Sequence, residues 1–120
     1  MNKKLFLEAM GSNNYSNRIN ENKIKELIKK SIDSNLDNNE RGHRNLIIVM
    51  EELAELSQQI AKQLRGKGNY YNILEELADV YLGIYYVQDI VGIKNDDLYK
   101  SMNIKIDRLN KEIEKNGYYK

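Results

Sequence analysis

The sequence predicts an all-α protein, with four main antiparallel helices forming a bundle that oligomerisation completes. Three observations predict it. Apolar residues recur at steps of three and four through four long segments. No strand-like alternation of any length interrupts them. Proline is absent, so no residue forces a helix to break.

The elements follow in order. The chain of 120 residues suits one helical domain over 1–120. Within it, 1–20 is rich in Asn and Ser around a short cluster at Leu5, Phe6 and Leu7, and is expected to be loosely ordered. A first helix is marked by Ile24, Leu27, Ile28 and Ile32, and "LDNNERGH" is expected to end it. A second begins near Arg44 or Asn45 and runs to about Arg65, with the stripe Leu46, Val49, Leu53, Leu56, Ile60 and Leu64. "GKGN" supplies a tight helix–helix connection. A third helix, from about Tyr71 to Val91, carries Ile73, Leu77, Val80, Ile84, Val87 and Val91, with Gly92 as its stop. The fourth is expected to be capped by Asn95 or Asp96 and to end near Asn116 and Gly117. Its stripe is Leu98, Met102, Ile106, Leu109 and Ile113.

Composition narrows the function classes. Nineteen basic residues against eighteen acidic give a formal net charge of +1, so no bulk field marks a nucleic-acid binder. The lack of cysteine excludes disulfides and thiolate metal sites and fits a reducing compartment. The apolar patch near the start is too short for a signal peptide, and no segment has the length of a membrane span. A soluble cytoplasmic protein with neither membrane nor nucleic-acid partner is the expectation.

One tetrapeptide is written nearly twice: Glu-Leu-Ala-Glu at 52–55 and Glu-Leu-Ala-Asp at 76–79. Residues three apart on a helix are neighbours, so Glu52/Glu55 and Glu76/Asp79 each form a pair of carboxylates. The plain reading is a solvated acidic edge. Three details favour a site. Asp79 is the only charged residue between Leu77 and Gln88, so partial burial is expected, and a buried charge must be paired or bind metal. At roughly 100° per residue, Glu52 and Glu55 lie about 80° and 140° to one side of their stripe. Glu76 and Asp79 lie about 60° and 120° from theirs in the same sense, which puts all four on one surface of an antiparallel pair. Glu55 lies twelve residues before Lys67 and Asp79 twelve after it, so a hairpin centred there sets these two level. Four carboxylates so placed repel one another unless cations are present. Oxygen ligands alone favour Mg²⁺ or Mn²⁺, and Mg²⁺ shares its ligation with phosphates, so a phosphate-containing substrate follows.

Glu51-Glu52-x-x-Glu55, a spacer, then Glu76-x-x-Asp79 resembles the signature of the all-α nucleoside triphosphate pyrophosphohydrolases. This is the MazG-like superfamily, with the dimeric dUTPases, the dCTP pyrophosphatases and the phosphoribosyl-ATP pyrophosphohydrolases. The resemblance covers roughly residues 43–110. It implies Mg²⁺-dependent cleavage of a nucleoside triphosphate to the monophosphate and pyrophosphate, with Glu52, Glu55, Glu76 and Asp79 as catalytic metal ligands. It also implies a phosphate-binding pair at Lys105 and Arg108, although a solvated edge explains those two equally. Asn103 and Asn45 are further substrate-binding candidates, Asn45 because it shares a helical face with Glu52.

Other residues carry two readings each. Glu51 is an outer base or a surface glutamate; His43 is a surface residue or a nucleotide contact. Tyr81, Tyr85 and Tyr86 are core, interface or a stacking platform. Gly83 leaves room for a phosphate or lets helices pack closely. The third helix is apolar on nearly every side, so a homodimer or homotetramer is expected. A di-iron bundle needs Glu-x-x-His motifs, and His43 is the only histidine. A non-catalytic helical interaction module is the remaining alternative.

Overall fold

The computed structural model describes residues 2–32 and 38–117. It contains five α-helices: α1 (Lys3–Met10), α2 (Glu21–Ile32), α3 (Asn38–Leu64), α4 (Tyr70–Val91) and α5 (Asn95–Asn116). Among the described residues there is no strand, so the all-α class is as expected. The chain divides into two compact units, Met1–Val87 and Gln88–Lys120.

In the first unit, α1 occupies part of the stretch expected to be loosely ordered. Asn2 supplies the reason: its side-chain oxygen accepts from the Lys4 N–H at 2.8 Å and caps the helix. Lys3 Nζ then reaches Glu75 on α4 at 2.9 Å. Helix α2 starts from a second asparagine cap, with Asn20 Oδ1 accepting from the Lys23 N–H at 3.1 Å. Glu21 in its first turn and Lys29 and Lys30 in its last complement the helix dipole. Ile24 on this helix is buried. The side chains of 32–42 lie outside the described residues, as does all of 33–37, which includes the first two residues of the expected break at 36–43.

Helix α3 begins at Asn38, earlier than the stripe suggests. Gly42, read as part of a break, lies inside it; one interior glycine costs only about 1 kcal/mol. The helix ends in a left-handed turn at Gly66 (φ 75°). There the Lys67 N–H bonds to Lys62 O at 2.9 Å and the Gly66 N–H to Gln63 O at 3.1 Å, which satisfies the last carbonyls. Asn69 then caps α4 through the Asn72 N–H at 3.0 Å.

Val49 and Val80 are the buried apolar residues of this hairpin. Gly83 lets the two helices approach: a Cβ built there would stand 3.1 Å from Val49 Cγ2 and 3.3 Å from Cγ1. Close packing is therefore the role the structure gives Gly83. The stripes are covered only in part. Leu53 stays 50% exposed, Ile60 49% and Leu64 84%.

In the second unit, α4 stops at Gly92 (φ 83°), whose N–H bonds to Gln88 O at 2.8 Å. The start of α5 differs from expectation. Lys94 takes the cap position without a side-chain bond, while Asn95 Oδ1 accepts from Gln88 Nε2 at 2.8 Å. Asp96 and Asp97 in the first turn compensate electrostatically. Gly117 (φ 75°) ends the helix. Among the described residues no helix is long and apolar enough to cross a membrane.

Candidate metal centre

Helix α3 carries Glu52 and Glu55, and α4 carries Glu76 and Asp79. The hairpin brings them together. Glu52, Glu76 and Asp79 are half-buried, and each offers a carboxylate oxygen within 4.8 Å of the others. Glu55 is exposed and stands within hydrogen-bond reach of Glu76, as Asp79 does of Glu52.

The cross-helix pairs are thus Glu52 with Asp79 and Glu55 with Glu76, whereas residue counting sets Glu55 level with Asp79. The connection explains the difference. Residues 67–69 are not helical, so they do not keep the rise of about 1.5 Å per residue that counting assumes.

Crowding sets the electrostatics. Burial comes first in pushing the Glu52 carboxyl up to about 7, followed by the charge and hydrogen bond of Asp79 and then the charges of Glu55 and Glu76. The Glu76 carboxyl is also raised, by burial first and then by the Glu55 hydrogen bond and the neighbouring acids. Oε2 of Glu52 and Oε2 of Glu76 are buried and meet no donor. Two carboxylates facing each other satisfy those oxygens only through a shared proton or a cation. Converging, unpartnered carboxylate oxygens fit a hard divalent ion well.

A cleft of about 260 Å³ opens beside the acids. Glu52 and Asp79 line it together with Asn45, Gly83, Tyr86 and the apolar side chains of Leu27, Ile48, Val49 and Leu82. Asn45 is held by α2, since its Nδ2 donates to Ser31 Oγ at 2.8 Å. Tyr86 is half-buried, and burial raises its phenol. The contribution of Ser31 has no sequence signal, because it depends on how α2 returns to α3. Leu27 is legible only as part of an apolar stripe.

The remaining candidates are placed as follows. Glu51 and His43 are exposed, with His43 inside α3 and not at its entry. Tyr81 is exposed, while Tyr85 is half-buried. Asn103, Lys105 and Arg108 lie on α5 in the second unit, all exposed, with Lys105 and Arg108 one turn apart. Comparison with family models, with curated proteins and with solved structures finds no match to this chain.

Proposed function

We propose that the protein is a Mg²⁺-dependent nucleoside triphosphate pyrophosphohydrolase of MazG-like type, which releases pyrophosphate and a nucleoside monophosphate. One observation carries the reading: the convergence of Glu52, Glu76 and Asp79 within 4.8 Å, beside Glu55, with two buried oxygens lacking a donor. In water such a cluster holds protons or repels itself; its useful state is the cation-bound one. Glu52, Glu76 and Asp79 would hold Mg²⁺ or Mn²⁺, with Glu55 completing the set from the exposed side. When bound, the ion neutralises the triphosphate and lowers the pKa of a water for attack on phosphorus.

The chain's own residues supply the rest. The α3–α4 hairpin fixes the four carboxylates on packed helices, which keeps their spacing constant. The cleft beside them is apolar enough to exclude water from the body of a ligand whose phosphates lie at the acids. Lys105 and Arg108 would provide a point charge and a fork for phosphate oxygens. A second copy of the chain, in a homodimer or homotetramer, would cover the exposed parts of the α3 and α4 stripes.

Glu55→Gln and Asp79→Asn test the assignment. Each is expected to lower pyrophosphate release by at least about a hundredfold while leaving the helical circular dichroism unchanged. Hydrolysis surviving in both folded variants would remove these residues from the site. The exposed apolar stripes favour a second reading, a helical interaction module with no catalysis. Millimolar Mg²⁺ separates the two: the enzyme gains thermal stability and releases pyrophosphate from at least one nucleoside triphosphate, and the module does neither.

A further inference from the structure

Asn45 is the polar side chain of the cleft that carries no charge and has a fixed partner on another helix. It stands two turns before Glu52 on the same face of α3, so it shares the cleft with two of the acids. Around it, Leu27, Ile48 and Leu82 offer an apolar wall. A primary amide can present either its oxygen or its nitrogen, and the two ends recognise opposite partners. Here Ser31 on α2 accepts one N–H of Asn45 at 2.8 Å. Among the side chains described, which do not include those of 32–42, no donor reaches Asn45 Oδ1.

We infer that Ser31 is a positioning residue, which ties the Asn45 amide nitrogen and leaves Oδ1 to accept an N–H from the ring of the bound nucleotide. The inference rests on the pyrophosphohydrolase reading and deepens it. The acids and their cation take the phosphates; Asn45, oriented from α2, takes the base. The chemistry selects a flat, largely apolar nitrogenous ring with a donor N–H, since a ligand body without one leaves a half-buried acceptor unpaired. It also gives α2 a task in recognition that no motif in its sequence announces. Ser31 acts only through Asn45.

Calorimetric titration in Mg²⁺ tests this with two kinds of probe: inorganic tripolyphosphate, and the four α,β-imido nucleoside triphosphates. Wild-type protein is expected to bind the best of the nucleotides more tightly than tripolyphosphate. Ser31→Ala is expected to weaken that nucleotide about three- to tenfold and Asn45→Leu about tenfold or more, the loss of one neutral hydrogen bond. Ser31→Thr, which keeps the hydroxyl, should restore most of the affinity. Tripolyphosphate binding should stay within about twofold in all three variants. Equal weakening of both probes, or no weakening of the nucleotide, overturns the role of Ser31 and Asn45 while leaving the metal site intact. Failure of both probes to bind wild-type protein overturns the pyrophosphohydrolase reading and this inference with it.

Discussion

Glu52 and Glu76 pay for their position at neutral pH, and that cost makes the site measurable before any substrate is known. The Glu52 carboxyl moves from an ordinary 4.5 to about 7, and Glu76 moves in the same direction. At about pH 4 these carboxyls are protonated in folded and unfolded chains alike, so they do not affect stability. As pH rises from about 4.5 to 7 the unfolded chain loses its protons first, and the folded state is progressively destabilised. Above about 7 the penalty is fully present. A divalent ion competes with those protons, so its stabilising effect runs the other way. We expect melting curves to show a small Mg²⁺ effect near pH 5 and a large one near pH 8. Glu52→Gln should raise the melting temperature of the metal-free protein at pH 8 and abolish most of the Mg²⁺ response. A pH-independent Mg²⁺ shift would show that the ion binds elsewhere. The four acids are legible in the sequence because residue type and a three-residue spacing suffice to pair them on one helix. Which acid faces which is not, because it depends on the path of 67–69.

At the scale of the element, the hairpin is held by one close approach. Val49 is buried, is stiff at χ1 in a helix, and stands against Gly83 where a Cβ would already press on both methyls. Gly83→Val should therefore destabilise by about 1–3 kcal/mol, lowering the melting temperature by roughly 4–8 °C per kcal/mol for a unit of this size. Val49→Ala makes room for the new side chain. The double variant should be less destabilised than the sum of the two single changes, with a coupling of about 0.5–3 kcal/mol in a thermodynamic cycle. Strict additivity would mean that the two helices do not meet there. The hairpin itself was readable from the periodic stripes and the glycine-rich connection, because both are local signals. Helix α1 was not readable. It is short, and the Lys3–Glu75 contact that ties it to α4 joins residues far apart in sequence. The early start of α3 was hidden for a different reason: Gly42 is a weak breaker when a long stripe follows it.

For the whole molecule, the question is what the apolar faces do. Among the residues whose burial is described, Ile24, Val49 and Val80 are the buried apolar ones, a small core for units built from amphipathic helices. Leu53 and Ile60 lie seven residues apart on one face of α3, and each leaves about half its surface in water. Covering the exposed half of each such side chain would contribute on the order of 1 kcal/mol. The expectation of an oligomer arises in the sequence from a different helix, since α4 is apolar on nearly every side. The reading differs in what it predicts for substitution. On a free surface, Leu53→Lys or Ile60→Lys should change stability by no more than about 0.5 kcal/mol. At an interface between copies, each should shift sedimentation toward monomer. Each should also lower the melting temperature and make the wild-type value, but not the variant's, rise with protein concentration. Sedimentation at micromolar concentration, read beside melting at two concentrations, checks this directly. A wild-type monomer with a concentration-independent melting temperature would leave these stripes to a different protein. The interaction-module reading would then gain what the enzyme reading loses, unless pyrophosphate release is found in the monomer.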